Sequence, residues 1–201
     1  MRINVRFIIA LVASLFILVG CASLSPPPQP QNQTQTTEKR VVNLSSIKNW
    51  ELKGLIAVRA NKSAWSANWQ WQQTQKNYTI SLIGPLGSNS LKLTGAPNQV
   101  LLETSDGKKL TSTSPESLLE QQLGWQLPVS NLYYWIRGLP VPNTPAQKHY
   151  DAFNHLTDLS QDGWTIQYLR YTSINHIDVP NKIYLANTKM NVKIVINQWQ
   201  F

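Results

Sequence analysis

Trp69-Gln70-Trp71-Gln72-Gln73-Thr74-Gln75-Lys76-Asn77-Tyr78-Thr79-Ile80-Ser81-Leu82-Ile83-Gly84-Pro85-Leu86-Gly87-Ser88-Asn89-Ser90-Leu91-Lys92-Leu93 is the stretch that decides the fold. It holds three runs in which apolar and polar residues alternate. A period of two makes each run a strand with one dry and one wet face. The first two runs are joined by a polar turn, the last two by a loop bounded by Gly84 and Gly87. Turns are normally polar, yet this loop carries a bare leucine, Leu86, at its tip. A dry sheet face together with a leucine held out on a loop points to the handling of something apolar.

Working outward, the same alternation recurs. Trp50, Leu52, Gly54, Ile56 and Val58 alternate with Glu51, Lys53, Leu55, Ala57 and Arg59, and after a turn at 60–63 Trp65 and Ala67 lead into Trp69 and Trp71. Turn signals at Ala96-Pro97-Asn98 and Ser105-Asp106-Gly107 bracket a short strand at 100–104. Strands of this length joined by tight turns predict an antiparallel meander. Ser114-Pro115-Glu116 opens a helix that carries Leu118, Leu119 and Leu123 and stops at Gly124. A second helix, capped by Ser130, presents Leu132, Trp135 and Ile136 and stops at Gly138. Strands then resume: 150–159 is read as extended, Trp164, Ile166 and Tyr168 share a face, and 183–186 pairs with 192–195. Strands, two helices and strands again predict one curved antiparallel sheet with helices on its concave face.

At the other end of the chain, Arg2 and Arg6 precede the apolar run 7–19, which reads as a signal peptide over 1–20 and is too short for a confident spanning helix. Leu18-Val19-Gly20-Cys21 resembles the bacterial lipobox, and Cys21 is the sole cysteine, so it is the expected lipid-attachment residue. Acyl chains anchor strongly, at about 0.8 kcal/mol per buried methylene. Ala22 and Ser23 in place of an aspartate resemble the signal for the outer membrane. Residues 21–37, rich in Pro, Gln, Ser and Thr, read as a tether, and 38–201 as the folded domain, opening with a short helix over 38–48 in which Val41, Leu44 and Lys48 share a face.

The whole chain carries +8; without the two leader arginines it carries +6. The lysines are scattered and no arginine-rich run occurs, which argues against nucleic acid and leaves open a mild attraction to lipopolysaccharide or an acidic partner. Enzymatic signatures are absent. His149 and His155, with Asp151 and Asp158, have no zinc spacing and read as surface residues. There is no Gly-x-Ser-x-Gly elbow and no phosphate loop, so no catalytic residue, metal or cofactor is expected. Arg59, Arg137 and Arg170 could each pair with a headgroup or with an internal carboxylate. Most of the eight tryptophans are expected in the core.

Several segments together resemble the LolB family of outer-membrane lipoprotein receptors. They are Trp50-x-Leu52-x-Gly54, Trp69-Gln70-Trp71-Gln72-Gln73, Gly84-Pro85-Leu86-Gly87-Ser88, Leu127-Pro128, Leu132-x-x-Trp135-Ile136-x-Gly138-Leu139-Pro140, Gly163-Trp164, Pro180-x-Lys182-Ile183 and Asn197-Gln198-Trp199. The resemblance implies a mainly β (α+β) fold: a single unclosed antiparallel β-barrel of about eleven strands, LolA/LolB-like, with short helices covering a hydrophobic cavity. It implies a monomer that accepts acylated lipoprotein cargo from a periplasmic LolA-like carrier and inserts it into outer-membrane lipid while anchored through Cys21 and facing the periplasm. Gly84, Pro85, Leu86 and Gly87 would form the membrane-insertion loop. Strand alternation and the helix stripe assign the implied acyl-chain cavity to Ile56, Val58, Trp69, Trp71, Ile80, Leu82, Leu91, Leu93, Leu132, Trp135, Ile136 and Ile194. Two rival readings are a structural outer-membrane lipoprotein that binds a protein partner or peptidoglycan through its sheet, and a periplasmic hydrolase using His149 or His155.

Overall fold

The computed structural model describes residues 35–60, 63–87 and 90–201; the signal peptide, Cys21 and nearly all of the tether lie outside the described residues. Helix α1 spans Thr37–Ser46, and Thr36, assigned to the tether by composition, caps it by accepting from the Lys39 N–H at 3.3 Å. The helix buries Arg40 and Leu44, whereas Val41, expected on the same face as Leu44, is exposed. The buried arginine displaces the apolar stripe because Asp178 awaits it, 3.7 Å from its guanidinium.

Eleven strands follow: β1 (Asn49–Ala60), β2 (Ser63–Thr74), β3 (Asn77–Ile83), β4 (Leu91–Ala96), β5 (Gln99–Thr104), β6 (Lys109–Ser112), β7 (Ala146–Tyr150), β8 (Leu156–Gln161), β9 (Trp164–Ile174), β10 (Ile177–Ala186) and β11 (Met190–Gln200). Helices α2 (Pro115–Leu123) and α3 (Val129–Trp135) lie between β6 and β7. All neighbours are antiparallel, and the sheet order is β6-β5-β4-β3-β2-β1-β11-β10-β9-β8-β7. The two halves of the chain meet where the first strand pairs with the last, and β6 and β7 remain as free edges, so the barrel is unclosed. Both edge strands are short, which limits the unpaired backbone offered to other chains.

Burial follows the alternation read from sequence. In β1 every second residue from Trp50 to Val58 is buried, and in β11 Val192, Ile194 and Ile196 are. Gly54 permits the central seam: a Cβ there would lie 2.0 Å from the Val195 carbonyl oxygen, and the β1–β11 register shifts beside it. Pro180, which cannot donate within a ladder, sits at a second irregularity between β9 and β10; its carbonyl accepts from Trp199 Nε1 at 2.9 Å.

Three expectations are corrected. Residues 150–159 are not one extended run: the chain turns after Tyr150, where Asp151 accepts from the backbone N–H groups of Phe153 and His155 at 2.8 Å, and β8 then pairs back on β7. The second covering helix begins at Val129 rather than after Ser130. Strand β6 was not anticipated, because four residues with the single apolar side chain of Leu110 leave no period to read.

Candidate functional site

Helices α2 and α3 close the inner face of the sheet. Ser114 caps α2 and Pro115 occupies its first turn; Leu118 and Leu119 point inward. The two helices are clipped together by Glu116, which accepts from the Ser130 N–H at 2.8 Å and from the Ser114 hydroxyl at 2.7 Å. Burial works against the Glu116 carboxylate, but these two donors outweigh it and hold its carboxyl below the ordinary range. Helix α3 is held more firmly. Trp135 Nε1 donates to Gln161 Oε1 at 3.0 Å, and Gln161 in turn donates to the carbonyls of Val141 and Thr144. Arg137, just past α3, is 2% exposed. It donates to the carbonyls of Tyr133, Leu44 and Ile47 and lies 4.1 Å over the Tyr133 ring, which ties α3 to the end of α1. Burial lowers its pKa, partly opposed by Tyr133. Among the described residues no carboxylate pairs with it, contrary to one of the two expected roles. Arg170 Nε donates to Asn181 Oδ1 at 2.9 Å, and Arg59 lies exposed on the outer face.

Beneath the helices is a dry cavity of about 30 Å³, lined by Ile56, Trp69, Trp71, Ile80, Leu82 and Leu93 from the sheet and by Leu119, Leu127, Val129 and Leu132 from the cover. All twelve residues proposed from the sequence are buried. Seven of them line this cavity; Val58, Leu91, Trp135, Ile136 and Ile194 pack in the surrounding core. Leu119, Leu127 and Val129 were missed. Leu119 belongs to the stripe read for α2, which was the available signal; Val129 was hidden by the late helix start.

A second space, an open groove of about 900 Å³, lies at the end of the barrel formed by the β2–β3 and β4–β5 turns, the start of α2, and α3. Trp71 and Val129 line both spaces and form the wall between them. An aromatic cluster surrounds this wall: Trp71 lies 5.3 Å from Trp50, 6.0 Å from Trp69 and 6.1 Å from Tyr78, centroid to centroid. The Tyr78 ring fits because its cross-strand neighbour is Gly95, where a Cβ would lie 2.1 Å from the ring. The Tyr78 hydroxyl and Trp50 Nε1 are buried with no hydrogen-bond partner among the described residues. Burial, with the nearby Glu116 charge, pushes the Tyr78 pKa up to about 12, so the hydroxyl stays protonated and able to donate.

The β3–β4 loop leaves the opposite end of the barrel, on the order of 23 Å away for a seven-residue strand at about 3.3 Å per residue. Leu86 is fully exposed there, at 106%, and its backbone is left-handed, with φ 57° and ψ 24°. That conformation costs a non-glycine residue roughly 1–2 kcal/mol.

One of the two histidines departs from the surface reading. His149 is exposed on the edge strand, opposite Asp158. His155 is 2% exposed; its ring nitrogens lie 2.9 Å from Asp151 Oδ2 and 2.9 Å from Asp178 Oδ2, and Tyr171 stacks on it at 4.5 Å. This cluster knits the β7–β8 turn, β10 and α1 together. Among the described residues no group of three or more His, Cys, Asp and Glu side chains is placed to hold a metal.

Comparisons with known proteins agree with this architecture. Residues 48–199 match the profile of the family described as outer membrane lipoprotein LolB. Relatives called outer-membrane lipoprotein LolB include one from Coxiella burnetii (strain RSA 493 / Nine Mile phase I), 38% identical over 98% of this chain and 95% of its own. Others come from Nitrosococcus oceani, 39% identical over 94% of this chain and 95% of its own, and from Pseudomonas putida (strain F1), 39% identical over 92% and 91%. The crystal structure of a DUF1329 family protein from Desulfovibrio piger shares the fold, with a TM-score of 0.56 at 5% identity over 86% of this chain and 93% of its own. An open eleven-stranded barrel with a helical cover, matched by family and relatives over nearly all of its length, places this chain in the LolB family of outer-membrane lipoproteins.

Proposed function

We propose that this chain takes acylated lipoproteins from a LolA-like periplasmic carrier, shelters their acyl chains between the sheet and helix α2, and releases them into the inner leaflet of the outer membrane through the Leu86 loop. Family membership already makes it an outer-membrane lipoprotein receptor in lipoprotein localisation rather than an enzyme. The observation that carries the finer reading is the pair of spaces separated by Trp71 and Val129: a wide groove open to water and, behind it, a wholly apolar cavity.

At about 30 Å³ the inner cavity is closed down, since pockets for small ligands run to about 300–1,000 Å³. Acyl chains therefore enter only if the cover moves. The unequal attachment of the two helices names the moving part. Helix α3 is held by buried polar bonds through Trp135 and Arg137; α2 is held by Leu118 and Leu119 and by solvent-exposed polar bonds, the Glu116 clip with Ser117 to Ser112 and Lys108 to Gln122. Apolar contacts are non-directional and are replaced equally well by acyl methylenes, so cargo substitutes for α2 at little net cost. Lifting α2 with Leu127 merges groove and cavity. The unpartnered Tyr78 hydroxyl at the groove is placed to donate to the polar linkage where acyl chains join the cargo. With no nucleotide, transfer runs downhill, and the receptor binds more weakly than a bilayer does. It works as a monomer, its anchor being Cys21.

The test uses a soluble form lacking Cys21 and a lipoprotein with brominated acyl chains. Transfer from the carrier quenches tryptophan fluorescence, and Trp69→Phe with Trp71→Phe removes most of that quenching while leaving transfer intact. Undiminished quenching in the double variant puts the chains elsewhere and ends the proposal.

A further inference from the structure

At the same end of the barrel as Leu86, the outer face of the sheet carries a concavity of about 410 Å³. Arg59 and Lys193 stand in its lining with Ser66, Tyr184 and Asn191, and no carboxylate lines it. Strand alternation aims both cations outward: Arg59 follows buried Val58, and Lys193 lies between buried Val192 and Ile194. Among the described residues neither cation forms an ion pair, whereas Lys53 and Lys109 both do. Tyr184 donates to Asn191 Oδ1 at 2.6 Å, which orients that amide and leaves its N–H groups to donate into the concavity. Two unpaired cations with hydroxyl and amide donors form a site for an anion with several acceptor oxygens.

Its position says which anion. Registers run Lys193–Ala57–Ser66 across three adjacent strands, and the Pro85–Gly87 turn lies against β2 beyond them. At about 4.8 Å per strand the concavity and Leu86 are within roughly 15 Å of each other. Ile83, 45% exposed, lies on the same outer face at the end of the strand that leads to Leu86. A side chain that prefers hydrocarbon therefore sits about two headgroup breadths from a basic, donor-rich hollow. The segment from Cys21 to Thr36, roughly 16 residues, spans at most about 55 Å. That exceeds the length of β1, about 40 Å for 12 residues, so an anchor that joins the domain near the groove end still permits the Leu86 end to reach the bilayer.

We propose that Arg59 and Lys193, with Ser66, Tyr184 and Asn191, bind the phosphate headgroups of anionic phospholipids in the membrane to which the chain is anchored, orienting the domain with Leu86 toward the lipid. The proposal rests on the reading of Leu86 as the membrane-facing loop, and the two are tested apart.

The experiment is flotation of the Cys21-free chain with vesicles of phosphatidylcholine alone or with three-tenths phosphatidylglycerol, at low and high salt. A basic side chain at such a surface is worth about fivefold in partitioning, so Arg59→Gln with Lys193→Gln lowers binding to the anionic vesicles about 25-fold and leaves binding to neutral vesicles unchanged. Arg59→Glu with Lys193→Glu lowers it further. Raising the salt narrows the gap between parent and variant. Parental binding by the Gln pair overturns the proposal. So does an equal loss from Lys39→Glu with Lys148→Glu, two exposed lysines away from this end, because net charge alone would then suffice. Displacement from vesicles by millimolar inorganic phosphate at constant ionic strength also overturns it, in favour of a free-anion site. Leu86→Glu, read as cargo delivery to neutral vesicles, tests the loop separately: normal delivery there removes the loop reading, and a loss confined to anionic vesicles in the Gln pair stands without it.

Discussion

Leu86 spends conformational energy where a glycine would not, and that makes its replacement informative in two directions. Its side chain is fully exposed and its φ is 57°. Leu86→Gly relieves a left-handed strain of about 1–2 kcal/mol and loses about 0.4–1 kcal/mol through the freer unfolded chain. The balance is a more stable domain by about 0.5–1 kcal/mol, or a Tm higher by roughly 1–4 °C for a chain of this length. The same substitution deletes a leucine whose full transfer from water to an apolar phase is worth about 1.5–3 kcal/mol, a factor of ten or more. Delivery of lipoprotein from the receptor to liposomes therefore slows about tenfold or more, while uptake from the carrier is unchanged. Leu86→Trp, which keeps apolar area, keeps delivery. The assays are a thermal melt and a two-step transfer measurement. A lower Tm would show that Leu86 packs against something; a parental delivery rate would show that its exposure serves no lipid. Either result refutes the reasoning.

Other perturbations separate cover, groove and scaffold. Leu132→Ala enlarges the inner cavity and costs about 2–5 kcal/mol in urea denaturation, while a fluorescent fatty acid binds more tightly than it does to the parent. Gly95→Ala forces the Tyr78 ring from its seat, since the new Cβ would lie 2.1 Å from it; stability falls by about 1–3 kcal/mol and cargo uptake slows. Arg137→Met leaves the carbonyls of Leu44 and Ile47 without their donor and lowers stability by about 2–4 kcal/mol in denaturant titrations. Burial alone would raise the carboxyls of Asp151 and Asp178, but the bonds from His155 hold both below their usual value of 3.8. Their contribution is thus fully present above about pH 4 and is lost as pH falls through the depressed values. Asp178→Asn is less stable than the parent at pH 6, and the two unfolding midpoints converge below pH 3.8.

Function and shape were legible at different depths. Alternation from Trp50 to Leu93 specified strands and named the inward residues, because an error of one residue would have turned every tryptophan to water. Proline and glycine at the ends of α2 marked a helix, and its cap formed as read. The buried role of His155 was not legible, because its partners Asp151 and Asp178 meet only when the β7–β8 turn and β10 come together. Nor was the seam at Gly54, whose necessity comes from a carbonyl about 140 residues away along the chain.

The sequence by itself determined the dry and wet faces, the two covering helices and the exposed leucine, since all of these are set by neighbours within a few residues. Only the tertiary structure decided that Trp71 and Val129 stand as a wall between a groove and a cavity, that α3 is pinned by buried polar bonds while those of α2 are exposed, and that Arg59 and Lys193 share a hollow beside Leu86. A strand pattern says which way a side chain points. How much space is left between two faces depends on side chains from distant parts of the chain packing together, and no local period carries that information.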